Sequence, residues 1–449
     1  MTRKEFIDII DDKVFVLDGT AELGKLSAPV KEGKFDFTEA FAFYQAEVKE
    51  MLGAKDKGVI IGEFECIREA RAALLAVRDI CDYPFVCIMD TCANPLASLI
   101  TMQSLGADAF GCCCAGNDNL TTLKKSATIP LVVRVNSGDD IEALVKAGAN
   151  ILIGECADIE GLIPVKPEVY AVNALASASK TVFIGPGHDF AVIGERINPT
   201  GKTALQEELK NGSLDLVKEM ALDQVAKGAA ILDVNVGMPG IDEKETMVKV
   251  VEMLSETVDL PLCIDSANPE VVEAALQVYP GRALVNSISA ETPRLEKLLP
   301  VAAKYGAMII ALPMTDDGIP ETIEERWKAV QVIANAAAGY GYENKDICVD
   351  GLLLAVCTSS TSGSVSLETI RRSTEAGYAT VCGLSNISFG MPERPLLNST
   401  FLAMAIGNGL STAIANPSSE VIMKTVAAAE ALNGNDADTL RYIMKVTGM

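Results

Sequence analysis

The chain has 449 residues, about half of them apolar (49%), and a formal charge of −23 from 61 acidic against 38 basic side chains. That length implies two or three domains with ample core material. The charge excludes nucleic acid and anionic membranes as partners, but not a small anionic ligand at a local basic patch.

No apolar run approaches the roughly 18 residues of a membrane span. The opening "MTRKEFIDIIDDKVF" has acids where an export signal needs an apolar run. A cytoplasmic protein is expected. Its 12 cysteines fall mostly in apolar runs such as "FVCIMD", "PLCIDS" and "TVCGLS", as buried thiols in a reducing compartment do.

In chain order, the first 180 residues offer six strand candidates: "VFVLDG" (14–19), "GVIIGEF" (58–64), "PFVCIMD" (84–90), "AFGCCC" (109–114), "PLVVRVN" (130–136) and "ILIGECA" (151–157). Helical patterns such as "CIREARAALLAVRDIC" and "DDIEALVKAGAN" lie between them. Alternation of this kind predicts a parallel sheet, here a shortened or degenerate (β/α) barrel. The stretch 168–182 is expected to be a closing helix and a connection onward.

The second half has a stronger rhythm. Eight strands are predicted: 191–197, 230–236, 261–266, 283–288, 308–314, 347–352, 380–386 and 412–417. Helical patterns separate them, among them 213–228, 268–281 and 322–341. Eight units in about 240 residues have the number and size of a complete TIM barrel. The expected organisation is α/β with two consecutive barrels, 1–180 and 181–449.

Nearly every strand of the second half ends in a polar residue: Glu195 and Asn198, Asp233 and Asn235, Asp265, Asn286, Asp350, Asn386 and Asn416. Strand C-termini form the active face of such a barrel, so these groups should converge on one mouth. Helix capping is the competing explanation. In "CIDSANPE" it fits Asn268, with Pro269 at the first helical position, but not Asp265 or Asn286. In "TVCGLSNISFG", Asn386 reads as a buried amide that must find partners or cost stability.

Carboxylates that accept N–H bonds, beside amides that both give and accept, suit a flat heterocycle with an amino-pyrimidine edge. A pterin is such a ligand. The glycine of "GLSN" and the loop "NPTGK" (198–202) would allow close backbone approach.

The motifs "IGERINPTGK", "ILDVNVG", "LCIDSAN", "YPGRALVNS", "VDG", "GLSNISFGMPERP" and "FLAMAIGNGLSTAIANP" run in order through residues 190–449. In them the chain resembles the folate-binding barrel of cobalamin-dependent methionine synthase and the methyltetrahydrofolate:corrinoid methyltransferases. The resemblance implies that Asp265, Asn286 and Asp350 hold the pterin ring of 5-methyltetrahydrofolate. Asn386 would contact N5 and act catalytically. Arg394 would sit beside the ligand or its anionic tail, and Thr200, Gly201 and Lys202 would form a loop over the ring. The reaction implied is displacement of the N5-methyl group onto a Co(I) corrinoid. An Asp-x-His-x-x-Gly cobalt-ligand loop cannot occur where His188 is the one histidine, so the cobalamin is expected on a separate corrinoid-binding protein.

The N-terminal part resembles the same family's homocysteine-binding barrel through "VFVLDGT" and "GEFECIREARAALLAVRD". The family's zinc-binding cysteines correspond to Cys114 and, at "IGECAD", to Glu155 and Cys156. A third ligand could come from Cys112, Cys113 or Glu155. Two readings stand open: a zinc site that activates homocysteine, or a degenerate barrel kept as a scaffold. Two alternatives for the whole chain are a dihydropteroate synthase-like enzyme and a non-catalytic scaffold that binds folate or a corrinoid protein. The former should show a Lys and a Ser-x-Arg motif at the last strands, which "GLSNIS" and "TAIANP" do not supply.

Overall fold

The computed structural model describes residues 2–17, 22–27, 36–54, 58–90, 94–112, 117–154, 159, 161–166 and 173–448. The chain divides into two compact units. One is Met1–Tyr170 with Ala176–Thr181 and Pro280–Arg282; the other is Ala171–Leu175, Val182–Tyr279 and Ala283–Met449.

The first unit holds seven parallel strands: β1 (Phe15–Leu17), β2 (Glu22–Ser27), β3 (Val59–Phe64), β4 (Phe85–Met89), β5 (Ala109–Cys112), β6 (Leu131–Arg134) and β7 (Ala149–Ile153). Their order is β1-β7-β6-β5-β4-β3-β2, a half-barrel with no β1–β2 pairing among the described residues. All six expected strands are present, and β2 is an addition. Its sequence, "ELGKLS", lacks the apolar run that announces the others, and its register with β3 shifts between Glu22 and Gly24. Alternate residues of the strands (Val59 and Ile61, Val86 and Ile88, Val132, Ile151) join Phe6 and Ile10 of the helix Arg3–Asp12 in one buried cluster.

The expected helix at 168–182 is not found among its described residues. Two short strands, β8 (Ala174–Ala176) and β9 (Thr181–Phe183), pair there instead. The Ser177 hydroxyl accepts the N–H groups of Ser179 (3.2 Å) and Lys180 (3.0 Å). Such a side-chain-to-backbone turn competes with helix.

The second unit holds β10 (Ala191–Ile197), β11 (Ile231–Val234), β12 (Leu262–Asp265), β13 (Leu284–Ser289), β14 (Met308–Leu312), β15 (Ile347–Asp350), β16 (Ala379–Val381) and β17 (Thr412–Ala415). They pair in parallel in the order β16-β15-β14-β13-β12-β11-β10-β17. The bridge between Gly383 and Ile414 and a 2.9 Å bond from the Ile414 N–H to the Cys382 carbonyl bring the two ends together. The expected helices form as Asp215–Ala226, Pro269–Val278 and Ile323–Ala338. Asn268 caps the second of these and Pro269 opens it.

The barrel interior is apolar at its lower levels. Ile193, Ile231, Cys263, Leu284, Ile310, Cys348 and Val381 belong to one buried cluster, joined by Leu175 of β8 and by Ile184, which directly follows β9. Side chains alternate along a strand, so the residue two positions further on faces the same interior. Those residues are Glu195, Asp233, Asp265, Asn286, Leu312, Asp350 and Gly383. The pleat therefore converts a level of aliphatic packing into a level of carboxylates and an amide at the C-terminal end of the barrel.

Candidate active site

Asp233 is the most enclosed group of this level, 3% exposed. It accepts a 3.2 Å bond from the Asn286 amide. Asp265 accepts a 2.9 Å bond from the Asn235 amide, whose oxygen in turn takes the Gly237 N–H at 2.9 Å. Asp350 accepts the Leu352 N–H at 2.7 Å. Asp265 and Asn286 are register partners on β12 and β13. Three of the expected ring-holding residues thus share one level of one barrel mouth.

Burial raises all three carboxyl groups. The Asp233 carboxyl is pushed up to about 8, by burial first and then by the charge of Asp265. Asp265 is raised by burial, against a lowering by its bond from Asn235. Asp350 is raised to about 6 by burial, opposed by the Leu352 N–H and the charge of Arg326. The sequence reading placed no cation near these acids, and here the fold adds two. Arg294 and Arg326 lie within electrostatic range of Asp265 and Asp350. Their Nη1 groups are committed to backbone carbonyls, of Ala267 for Arg294 and of Gly351 and Leu352 for Arg326. Among the described residues none of the three aspartates has an ion pair. Acceptors without an ion pair, one buried (Asp233) and two half-buried (Asp265 and Asp350), favour a ligand that brings N–H donors.

Asn386 departs from its sequence reading. The strand expected over 380–386 ends at Val381, and Leu384–Asn386 is a 3-10 turn. Leu384 and Ile387 bury themselves at 1% and 2% exposure and leave Asn386 exposed between them. The amide is therefore not buried, because the apolar residues on either side take the core positions. Among the described residues its side chain has no hydrogen-bond partner. A Cβ on Gly383 would stand 3.0 Å from the Asn386 Nδ2, so the missing side chain of Gly383 is what leaves room for the amide.

Glu195 is the fourth carboxylate of the level. The Ser385 hydroxyl lies 3.1 Å from each of its oxygens. Lys202 and Arg394 both lower its pKa through their charges, while burial, the larger effect, raises it. The loop residue Lys202 and the distant Arg394 thus flank one carboxylate. Arg394 also donates to the Ser388 hydroxyl (3.1 Å) and to the Ser385 carbonyl (2.9 Å). Thr200 and Gly201 are exposed in the loop before Lys202. Gly201 has φ +72°, where an L side chain is strained. Gly194 serves the same strand end from the opposite side. A Cβ there would meet the Gln224 oxygen at 2.4 Å, the oxygen that accepts the Arg196 N–H at 2.9 Å.

Sequence reasoning put Glu195, Asp233 and Asn235 at strand ends but assigned none of them a role, and it missed Ser385. The repeated offset in "ILD", "CID" and "CVD", each an interior residue followed two positions later by Asp, was the available signal. Cys113, Cys114, Glu155 and Cys156, named for zinc, lie outside the described residues. Cys112 is buried on β5. Among the described residues no group of three His, Cys, Asp or Glu could hold a metal, and no helix is long and apolar enough to cross a membrane.

A sequence model described as pterin binding enzyme matches residues 194–416, the span from the start of the polar level on β10 to the end of β17. The methylcorrinoid:tetrahydrofolate methyltransferase of Eubacterium limosum is 30% identical over 259 residues, 56% of this chain and 94% of that one. The chain belongs to this family of pterin-binding methyltransferases. Methionine synthases of Mycobacterium tuberculosis and Mycobacterium leprae are each 26% identical over 90% and 88% of this chain, which spans 39% of their length. Among solved structures, dihydropteroate synthases from Xanthomonas albilineans, bound to 7,8-dihydropteroate, and from Thermus thermophilus are similar over 58% of this chain and 98% and 99% of theirs. Their identities are 18% and 19% and their TM-scores 0.46 and 0.44, and this likeness carries no argument about substrate within the family.

Proposed function

We propose that the chain takes the N5-methyl group of 5-methyltetrahydrofolate and delivers it to the cobalt of a corrinoid carried by a separate protein. The observation that carries this reading is the polar level itself: buried and half-buried carboxyl groups beside the Asn235 and Asn286 amides, above an aliphatic barrel, with no ion pair to the three aspartates among the described residues. Asp265, Asn286 and Asp350 would hold the amino-pyrimidine edge, with Asp233 fixing the Asn286 amide. Lys202 and Arg394 give the mouth its local positive charge, suited to an anionic tail, with Thr200 and Gly201 in the loop above. A reduced corrinoid, when present, supplies the nucleophile for the methyl carbon.

The chain's own task is to make N5 a better leaving group. The Asn386 amide, without a side-chain partner among the described residues, is free to bond N5, and a bond that strengthens as charge develops lowers the barrier. The chain's one histidine, His188, stacks on Phe183 before β10. The Asn386 amide can give N5 a hydrogen bond but no proton, so on this reading solvent at the exposed turn supplies the proton that N5 gains. Phe389, three residues on and 70% exposed, gives the rim beside Asn386 an apolar surface for a macrocycle. Anaerobic mixing of the protein with 5-methyltetrahydrofolate and free cob(I)alamin tests the reading. Methylcobalamin should appear in the visible spectrum, and its failure to appear contradicts the proposal.

A second acceptor is favoured by one observation: the methionine synthase likeness extends through the first unit. On that reading homocysteine is methylated there, with Cys114 and Cys156 among the zinc ligands. Stoichiometric zinc that is lost in Cys114→Ala and Cys156→Ala would support it. Metal-free protein would leave the corrinoid protein as the acceptor.

A further inference from the structure

Four carboxylates line the barrel mouth, and the proposed chemistry uses three. Asp265 and Asp350 face the ring, and Asp233 holds Asn286. Glu195 is left over, and its surroundings differ. It has an interior position on β10, yet its partner lies 190 residues away, on the turn that presents Asn386. Both of its oxygens are equidistant from the Ser385 hydroxyl. An ionised Glu195 can accept from Ser385 at either oxygen, whereas a carboxylic acid keeps one good acceptor.

The turn is held from a second direction by Arg394, which donates to the Ser385 carbonyl. Ser385 is therefore gripped through its side chain by an anion and through its backbone by a cation. Its neighbour Asn386 is the exposed amide with no partner of its own among the described residues. The charged groups that face Glu195 are Lys202 on the loop after β10, Arg394 at the head of the helix Arg394–Gly407, and Asp233 on β11. Lys202 is in turn anchored by a 2.8 Å bond to the Arg196 carbonyl.

We propose that Glu195 is a positioning residue for methyl transfer: in its ionised form it fixes the Leu384–Asn386 turn through Ser385, and so sets where the Asn386 amide meets N5. Protonation of Glu195 removes one of its two acceptor oxygens and loosens the turn. The methyl-transfer step then carries an acid limb that belongs to a residue outside the pterin contacts. Burial, which raises the Glu195 carboxyl, moves that limb toward neutral pH.

The inference rests on the reading under Proposed function, and the experiment separates the two. Single-turnover transfer from saturating 5-methyltetrahydrofolate to cob(I)alamin is followed across pH for wild type, Glu195→Gln, Ser385→Ala and the double variant. Folate affinity is measured separately by equilibrium dialysis. Misplacement of a catalytic group predicts a loss of about 10- to 100-fold in rate for each single variant. Affinity should change by less than about threefold, as for a group acting only in the transition state. The acid limb of wild type should vanish in Glu195→Gln, and the double variant should be no slower than Ser385→Ala. A limb that survives in Glu195→Gln, or losses that multiply in the double variant, overturns the role of Glu195 while leaving the methyltransferase reading intact. A wild-type protein that transfers nothing overturns both.

Discussion

Replacing Asp233 with Asn should stabilise the second barrel, and increasingly so as pH rises. Asp233 is 3% exposed and its carboxyl is pushed from 3.8 to about 8. The sign follows from proton counting. Between those two values the folded chain holds a proton that the unfolded chain releases, so stability is highest at low pH and declines as pH rises through this window. The loss accumulates at about 1.4 kcal/mol per pH unit, which sets an upper limit of roughly 4 kcal/mol at pH 7. Asn keeps an oxygen to accept the Asn286 amide, bonded at 3.2 Å in the native chain, and carries no charge to repel Asp265. A gain of roughly 2–4 kcal/mol corresponds to about 5–15 °C for a domain of this size. Thermal unfolding followed by circular dichroism from pH 5 to pH 9 measures it. The advantage of the variant should grow up to about pH 8 and then level off. A variant less stable than wild type at pH 8, or one whose advantage does not vary with pH, refutes the burial argument.

Two further predictions concern the mouth. Asp350 is raised to about 6, so below that pH a ring that donates N–H bonds must displace a proton. The dissociation constant of 5-methyltetrahydrofolate, measured by equilibrium dialysis, should then rise about tenfold per pH unit below 6, by linkage. Asp350→Asn should weaken binding at pH 7 and reduce that acid dependence to the part contributed by Asp265, whose carboxyl burial also raises. Gly383→Ala adds a Cβ that would stand 3.0 Å from the Asn386 amide, at a backbone conformation (φ −77°) open to any residue. Stability should change by less than about 1 kcal/mol, as for ordinary sites away from the core. The transfer rate should fall by about 10-fold or more, as for a misplaced group. A rate equal to wild type would show that Asn386 does not depend on that space.

The second barrel was legible because nearly every one of its strands pairs an aliphatic run with a terminal polar residue. "LCID" and "ICVD" already contain the offset that carries Asp265 and Asp350 into the mouth. Asn386 was legible as a candidate amide at the end of its strand run but not as an exposed one. The sequence shows apolar neighbours on both sides, and only the 3-10 turn reveals that Leu384 and Ile387 point inward while the amide points out. The Glu195–Ser385 pair was invisible for a different reason: it joins the first strand of the barrel to the turn after β16, and nothing local in "GERIN" or "GLSNIS" records that closure. Strand β2 escaped because Gly24 and Lys25 break the apolar alternation, and the hairpin at β8–β9 because its small residues resemble a helix until Ser177 turns the chain.

The most direct test of the account is the effect of Asn386→Ala on two quantities in the same protein. One is the single-turnover rate of methyl transfer to cob(I)alamin, and the other is the equilibrium affinity for 5-methyltetrahydrofolate. An amide that acts on N5 mainly as the carbon–nitrogen bond breaks predicts a rate loss of about 100-fold or more, on the scale of losing one preorganised donor, with affinity nearly unchanged. Equal losses in rate and affinity would make Asn386 an ordinary binding contact and contradict the mechanism.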